Sequence, residues 1–244
     1  MSGYTLRGLH GQVVHELGVR ILSDRIPEGA TLDLLALEGE LGVSRTALRE
    51  ALKVLAAKGL VDARQKRGTY VLYRSQWNLL DADILRWQAD QPTPQLLTHL
   101  GEVRAIVEPA AAALAALRHD EADIARMQAA VTAMGDHDAS ASHAAEADLA
   151  FHAALLQATH NDLLAALEMV IEQGLRQRDL IVHASGAVSD PVPAHQAVLD
   201  AIRAGDALAA QARMLALLDQ ASADYAALSS RRKSAGRQVV RNTA

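Results

Sequence analysis

Residues Gly42 to Val71, GVSRTALREALKVLAAKGLVDARQKRGTYV, contain one amphipathic helix followed by two short β-prone segments. The helix carries an apolar stripe at the spacing i, i+3, i+4 and i+7. Its members are Leu48, Ala51, Leu52 and Leu55. The β-prone pieces LVDA and TYVL are separated by the basic stretch RQKRG, which predicts a small hairpin. This order of elements decides the fold of the N-terminal part of the chain.

The segment before this helix contains two further helix-like stretches. Helical patterns cover residues 9–25 and 33–41. A Pro-Glu-Gly sequence at 27–29 separates the first helix from the second, and Gly42 separates the second from the third. Three helices followed by a hairpin form a winged helix-turn-helix, whose last helix enters the major groove of DNA. Residues 1–75 are therefore predicted to form a DNA-binding domain.

The exposed side of the third helix carries the candidate DNA-reading residues. They are Arg45, Thr46 and Arg49, with Ser44 as the N-cap. Two arginines four residues apart present their guanidiniums along one helix face, which suits guanine edges or phosphates. The hairpin tip supplies charge and a glycine that permits close backbone approach. Its residues are Lys66, Arg67 and Gly68. A solvated helix face is the alternative, and the order of elements favours DNA binding.

The remainder of the chain is predicted to be helical throughout. Alanine and leucine carry the hydrophobicity, and seven helix-like segments cover residues 80–228 with short polar breaks between them. Residues 76–229 therefore predict an antiparallel α-helical bundle, and the fold class is mainly α. The basic end of the chain, residues 230–244, lacks helical apolar spacing and is predicted to be disordered.

Charge is distributed unevenly along the 244 residues. The net charge of −5 divides into +3 for residues 1–75, −13 for residues 76–229 and +5 for the tail. The acidic total therefore belongs to the helical domain and does not argue against DNA binding by the mildly basic N-terminal domain. Seven aromatic residues are too few for a base-stacking platform of the RNA-recognition type.

The chain has no cysteine, which excludes disulfides, thiolate metal sites and cysteine nucleophiles. Residues 1–11 lack the apolar core of a signal peptide. No stretch approaches the roughly 18 uninterrupted apolar residues of a membrane span. The composition is typical of a protein of the reducing cytoplasm with no membrane partner.

Polar residues at helical spacing occur in the otherwise apolar second half. Asp148 and His152 lie four residues apart in EADLAFHAALL, a spacing that can chelate one metal ion. An intrahelical hydrogen bond and a favourable charge near the helix N-terminus are the alternatives. Arg104 and Glu108 form another such pair, and His195 lies near the start of a later helix. Since buried charges need partners, these residues either decorate the surface or line a polar cavity.

The segment from Gly42 to Val71 resembles the DNA-binding signature of the GntR family of bacterial transcription regulators, and the likeness covers about residues 13–72. It implies that the exposed residues of the third helix and the hairpin tip contact operator DNA. Relatives often carry an arginine early in the second helix, where this chain has Leu35. The resemblance therefore predicts that a contact to DNA is missing at that position.

The second half resembles the FadR branch of this family, whose ligand-binding domain is the all-helical type called FCD. The likeness lies in EVRAIVEPAAAALAA, DLAFHAALL and PAHQAVLDAIRAGD. It implies that Asp148, His152 and His195 hold a divalent metal, with Zn²⁺ as the first choice and Mn²⁺ or Ni²⁺ as alternatives. The residues expected at the effector are Arg104, Glu108, Arg176 and Arg178. Metal-binding members add a histidine where this chain has Leu217, so we expect three protein ligands and an open position.

The stretch SQWNLLDADILRWQ resembles the linker and first sensor helix of galactonate-operon and related sugar-acid repressors in this branch. The likeness implies an aldonate such as galactonate, or another hydroxy-carboxylate, as the effector. Trp77 and Trp87 are the only tryptophans of the chain. They either anchor the two domains by packing or contact the ligand, and packing is favoured.

These observations predict a homodimeric repressor that leaves its operator DNA when the effector binds, since one winged helix alone reads too few bases. Two other functions stay open. In one of them the metal itself is the signal. In the other, Asp148, His152 and His195 form the centre of a metal-dependent hydrolase. We find no general base beside these ligands in the sequence, which disfavours an enzyme.

Overall fold

The computed structural model describes residues 9–90, 93–136, 140–173 and 190–242. The chain divides between Thr93 and Pro94 into two compact units. Each unit buries a hydrophobic cluster of its own. This boundary lies later than the position after residue 75 that the sequence suggests.

The N-terminal unit has the predicted element order of a winged helix-turn-helix. Its elements are α1 (Leu9–Leu22), α2 (Leu34–Leu41), α3 (Arg45–Ala57), β1 (Val61–Arg64), β2 (Gly68–Val71), a 3-10 turn (Arg74–Gln76) and α4 (Ala82–Asp90). The two strands form an antiparallel hairpin in which Val61 pairs with Val71 and Arg64 with Gly68. The wing is therefore built from the two segments that the sequence predicts.

The turn between α2 and α3 follows from local side-chain and backbone chemistry. Gly42 ends α2 with a φ of 64°, in the left-handed region that glycine adopts without strain. Ser44 caps α3 by accepting a hydrogen bond from the backbone N–H of Ala47 at 3.3 Å. The predicted apolar stripe of α3, which includes Leu48 and Leu55, is buried against the rest of the unit. The opposite side of α3 is therefore exposed to solvent.

Helix α4 belongs to the N-terminal unit because it packs on α1. The ring of Trp87 is buried and lies so close to Gly18 that a Cβ added there would sit 2.5 Å from a ring carbon. The indole N–H of Trp77 donates to the carbonyl of Leu72 at 2.8 Å. Both tryptophans thus pack within the described part of the N-terminal unit, which explains why the boundary falls after α4.

The C-terminal unit is a bundle of antiparallel helices. They are α5 (Pro94–Arg118), α6 (Glu121–Met134), α7 (Ala141–Gln157), α8 (Asp162–Ala166), α9 (Val192–Arg203) and α10 (Ala207–Asn242), with a further helical stretch at 168–173. Their core includes Met127, Phe151, Leu155, Leu199 and Met214. The long helix predicted over 162–183 is interrupted at Leu167, and its part beyond residue 173 lies outside the described residues.

Helix α10 differs from the expectation for the end of the chain. We expected residues 230–244 to be disordered, but the helix that begins at Ala207 continues to Asn242. A helix that is already nucleated propagates through arginine, lysine and alanine without any apolar spacing. Despite this length, no helix in the described ranges is apolar enough to cross a membrane.

The contact between α1 and α4 predicts opposite effects for two glycine substitutions. Gly18→Ala should lower the free energy of unfolding of the N-terminal unit by about 1–3 kcal/mol, because the new methyl group clashes with Trp87. Gly39→Ala is the matched control on α2, since its Cβ meets nothing within 4 Å. It should raise the stability by about 0.5–1 kcal/mol through helix propensity.

Urea unfolding followed by tryptophan fluorescence measures this unit alone, because both tryptophans lie in it. If Gly18→Ala were as stable as the Gly39→Ala control, the packing of α4 on α1 would be wrong.

Candidate functional site

The N-terminus of α3 presents the residues that the sequence predicts for DNA reading. Arg45, Thr46 and Arg49 are all exposed, as is their cap Ser44. The guanidinium of Arg45 lies 3.8 Å from a carboxylate oxygen of Glu38 on α2. Such an exposed ion pair is weak and leaves the arginine available to a stronger partner. The arrangement suits contact with base edges or phosphates.

The hairpin tip exposes Lys66, Arg67 and Gly68, and only two of them are available without rearrangement. Lys66 and Gly68 adopt φ angles of 70° and 80°, which turn the chain sharply at the tip. Arg67 stacks on the ring of Tyr70 at 3.6 Å and donates to the carbonyl of Gly29 at 3.1 Å. Arg67 therefore braces the wing against the body of the unit.

The second predicted site lies inside the C-terminal unit. Asp148 and His152 come from α7 and His195 from α9, and all three side chains are buried. One carboxylate oxygen of Asp148 is 3.0 Å from Nε2 of His195 and 3.8 Å from Nε2 of His152. One ligand atom from each residue lies within 4.8 Å of the others. The fold therefore brings together the three residues that the sequence singles out.

Acceptor atoms orient both imidazole rings of this group. Nδ1 of His152 is 2.7 Å from a carboxylate oxygen of Glu108, an electrostatic contact without hydrogen-bond alignment. Nδ1 of His195 is 2.8 Å from the carbonyl oxygen of Pro191. Metal-binding histidines are usually held in this way, with a carboxylate or a carbonyl at the second ring nitrogen. Both Nε2 atoms are therefore left on the side of Asp148.

Arg104 and Glu108 extend this group into a chain of buried charges. The Nε–H of Arg104 donates to Glu108 at 2.6 Å, and Nη2 of the same guanidinium is 3.2 Å from Nε2 of His152. Burial raises the pKa of Glu108, but the Arg104 guanidinium and the contact with His152 outweigh it and lower the pKa to about 2. Burial lowers the pKa of His152, which favours the neutral imidazole. The chain thus combines an ionised carboxylate with a neutral histidine whose Nε2 faces both Arg104 and Asp148.

This donor set fits a divalent cation. Nε2 of His195 is buried and makes no hydrogen bond, although the Asp148 carboxylate is close to it. A buried polar atom without a hydrogen bond is uncommon and calls for an additional partner. Two imidazole nitrogens and one carboxylate oxygen are ligands that Zn²⁺, Mn²⁺ and Ni²⁺ accept. Leu217 is buried in the hydrophobic core and supplies no fourth ligand.

A second group of acidic and histidine residues has a structural explanation. Asp120 caps α6, and Asp123 completes a reciprocal capping box with it. Asp123 also contacts His160 at 2.7 Å and forms an ion pair with Arg126. Its carboxylate is therefore already engaged by a cap, a histidine and an arginine.

A cavity of about 370 Å³ opens between α5 and α10, and Arg104 lies on its wall. The polar residues around it include Thr98, Glu102, Asp219 and Ser222. Side chains of this kind can hydrogen-bond the hydroxyl groups of a small polar ligand. Arg104 thus lies both on the cavity wall and in the buried charge chain.

Comparisons with known proteins find a matching family for each of the two units. Residues 9–71 match the model of "Bacterial regulatory proteins, gntR family", and residues 99–220 match the model of the FCD domain. The galactonate operon transcriptional repressor of Escherichia coli (strain K12) is 32% identical over 212 residues, which cover 85% of this chain and 92% of that protein. The chain belongs to the GntR family and carries an FCD domain. It is therefore a DNA-binding transcription regulator.

A further relative supports the same assignment, and a solved structure supports the fold. LutR of Bacillus subtilis (strain 168), an HTH-type transcriptional regulator, is 35% identical over 209 residues, which cover 81% of this chain and 92% of that protein. A solved structure of Lar, which controls the agr system of Listeria monocytogenes, covers 92% of this chain and 100% of its own with a TM-score of 0.61. At 18% identity, this last likeness concerns the fold alone. The predicted family and the predicted mainly α fold are confirmed.

The effector residues proposed from the sequence fall into three groups. Arg104 lies on the cavity wall, whereas Glu108 is completely buried between Arg104 and His152. Arg176 and Arg178 lie outside the described residues. Sequence reasoning missed the carbonyl of Pro191 and the edge of the Phe151 ring, whose centroid is 4.9 Å from that of His195. The one signal in the sequence is that Phe151 directly precedes His152 in DLAFHAALL.

The buried Arg104–Glu108 pair predicts a large loss of stability when one charge is removed. Glu108→Gln should lower the free energy of unfolding by about 3 kcal/mol, because it leaves the Arg104 charge buried without its carboxylate partner. Glu102→Gln is the matched control, since Glu102 is exposed on the same helix. It should change the stability by less than about 0.5 kcal/mol. Urea unfolding followed by far-UV circular dichroism measures both, and equal losses would contradict the role of the pair.

Proposed function

We propose that this regulator is a homodimeric repressor that binds operator DNA through α3 and the wing. Ser44, Arg45, Thr46 and Arg49 enter the major groove, and Lys66 and Gly68 contact the adjacent backbone. Arg67 reaches the backbone only when its guanidinium leaves the carbonyl of Gly29 and the ring of Tyr70. The observation that carries this proposal is the exposed arginine pair at the capped N-terminus of α3. Since operator DNA is its partner, the protein acts in the cytoplasm and as a regulator, not as an enzyme.

The C-terminal unit is proposed to bind a small hydroxy-carboxylate in the cavity beside Arg104. The acidic and arginine side chains of the buried group are Arg104, with one positive charge, and Glu108 and Asp148, with one negative charge each. A divalent cation at Asp148, His152 and His195 would reverse the resulting net charge of −1 to +1. One carboxylate of an effector then neutralises the group, which buried charges require.

The protein residues have distinct parts in this proposal. Asp148, His152 and His195 hold the metal, with Zn²⁺ as the first choice and Mn²⁺ or Ni²⁺ as alternatives. Glu108 and the Pro191 carbonyl orient the two imidazole rings. Because Leu217 supplies no ligand, these three residues would leave a bound metal one position for water or the effector. The bound metal supplies the positive charge that attracts the carboxylate.

An aldonate is the proposed effector class. The name of the Escherichia coli relative refers to the galactonate operon, and galactonate combines one carboxylate with several hydroxyl groups. Arg104 suits the carboxylate, while Thr98 and Ser222 are placed on the cavity wall for hydroxyl groups. Effector binding lowers operator affinity by a coupling that is typically about 1–3 kcal/mol. A regulator that senses the metal alone is the second candidate, which the buried donor group also supports.

Operator binding tests the first part of the proposal. Arg49→Ala should weaken binding to the operator by about 1–3 kcal/mol at fixed salt, because it removes a base or phosphate contact. Arg213→Ala is the control, since it removes the same charge from the exposed surface of the other unit. Fluorescence anisotropy with a duplex selected by the wild-type chain measures both. Unchanged binding by Arg49→Ala would exclude α3 as the reading helix.

Metal content and thermal stability together test the second part. We expect Zn²⁺-loaded wild-type protein to melt at a higher temperature with galactonate than with galactose, because only the acid supplies a carboxylate. A ligand at 100 times its Kd should stabilise by about 2.7 kcal/mol. Asp148→Asn should lose both the metal, measured by elemental analysis, and the response to galactonate.

Glu146→Gln is the control for this experiment, because it neutralises an exposed carboxylate on the same helix. It should keep both the metal and the response. Stabilisation by galactose but not by galactonate would refute the carboxylate argument. If metal alone releases the operator and no acid adds to the release, the protein is a metal sensor.

A further inference from the structure

The C-terminal end of α3 is fastened to the segment that leads into α4. The ammonium group of Lys58, the C-cap residue of α3, lies 2.7 Å from a carboxylate oxygen of Asp81 and 2.7 Å from one of Asp83. Asp83 is buried and also pairs with Arg86 at 3.0 Å. We call these three residues, Lys58, Asp81 and Asp83, the α3–α4 clamp.

Backbone contacts reinforce the clamp at the same place. The N–H of Asn78 donates to the carbonyl oxygen of Lys58 at 3.2 Å. A Cβ at Gly59 would lie 2.7 Å from the carbonyl oxygen of Gln76, so the two segments approach too closely for any other residue. The end of α3 and residues 76–78 therefore form a single contact of main chain against main chain.

Arg86 balances the net charge of −1 of the clamp, and hydrogen bonds orient its carboxylates. Asp81 also accepts hydrogen bonds from the N–H groups of Asp83 and Ile84 at 3.0 and 3.2 Å, which places its carboxylate at the start of α4. Lys58 lies 5.6 Å from the centroid of the Trp87 ring, so a single ammonium group contacts both the start and the middle of α4. A half-buried lysine with two carboxylates and an aromatic face around it has one preferred position.

The clamp lies between the DNA-reading end of α3 and the segment that leads into the C-terminal unit. At its other end, α3 carries the residues proposed to read the operator. Helix α4 ends at Asp90, and the chain enters the C-terminal unit at Pro94. The clamp therefore joins the DNA-reading helix to the last helix before the ligand-binding domain.

We propose that Lys58 is a positioning residue for operator recognition, which fixes α3 to α4 so that base reading depends on the position of α4. This proposal rests on the proposed DNA-reading role of α3. Reading of base edges requires the recognition helix to be held within fractions of an ångström, whereas contacts to phosphates tolerate small shifts. Loss of the clamp therefore reduces specific binding more than non-specific binding.

The test compares the affinity for a duplex selected by the wild-type chain with that for a scrambled duplex at the same salt. Lys58→Met keeps the apolar stem and removes the charge, and Asp83→Asn removes the opposite partner. Each should lower the ratio of specific to non-specific affinity by about fivefold. The double variant should be no worse than either single variant, because both remove the same interaction. Lys58→Arg should keep most of the wild-type ratio, because it retains the positive charge.

Lys53→Met is the matched control, because Lys53 is an exposed lysine on α3 that pairs with Glu50 one turn away. It should leave the ratio unchanged. Thermal unfolding followed by tryptophan fluorescence shows how much each variant destabilises the unit. If Lys58→Met and Asp83→Asn lower the melting temperature but keep the ratio, the clamp only stabilises the fold and the proposal is overturned. If the wild-type chain selects no duplex, the proposed DNA-binding function fails instead.

Discussion

The chain of buried charges from Arg104 through Glu108 to His152 is the constraint on which the C-terminal unit depends. Charged groups are tolerated in a protein interior only when each one has a partner at close range. The 2.6 Å contact of Glu108 with Arg104 lies within α5, and its 2.7 Å contact with His152 therefore ties α5 to α7. Asp148 continues the chain to His195 on α9, so one set of electrostatic contacts connects three helices.

The two units use charged residues in opposite ways. In the N-terminal unit, Arg45 and Arg49 are exposed, where an arginine can exchange water for a phosphate or a base edge. Arg104 is buried and already paired, so it can respond only to a ligand that enters the bundle. The ammonium group of Lys58 lies between these extremes and joins two helices of the N-terminal unit. Burial thus separates residues suited to binding a large polyanion from residues suited to a small anion.

Much of the fold could be predicted because it depends on local chemistry. Helix α3 is capped by Ser44 and follows the turn at Gly42, two residues whose capping and backbone preferences act over a few positions. The pairing of Asp148 with His152 also follows from helical spacing. By contrast, the end of the chain was predicted wrongly, since a helix can continue to Asn242 without an apolar face. The contact of Trp87 with Gly18 joins residues far apart in sequence, and no local pattern predicts it.

The sequence by itself determined the family, the element order and the residue types of both sites, because periodicity, caps and charge are properties of neighbouring residues. Only the tertiary structure decided that Glu108 orients His152, that Arg67 braces the wing on Tyr70, and that Asp83 reaches Lys58. Each of these contacts joins residues that are distant along the chain or on different elements. Their partners are chosen by how the helices and strands pack, which brings together side chains that no spacing rule connects.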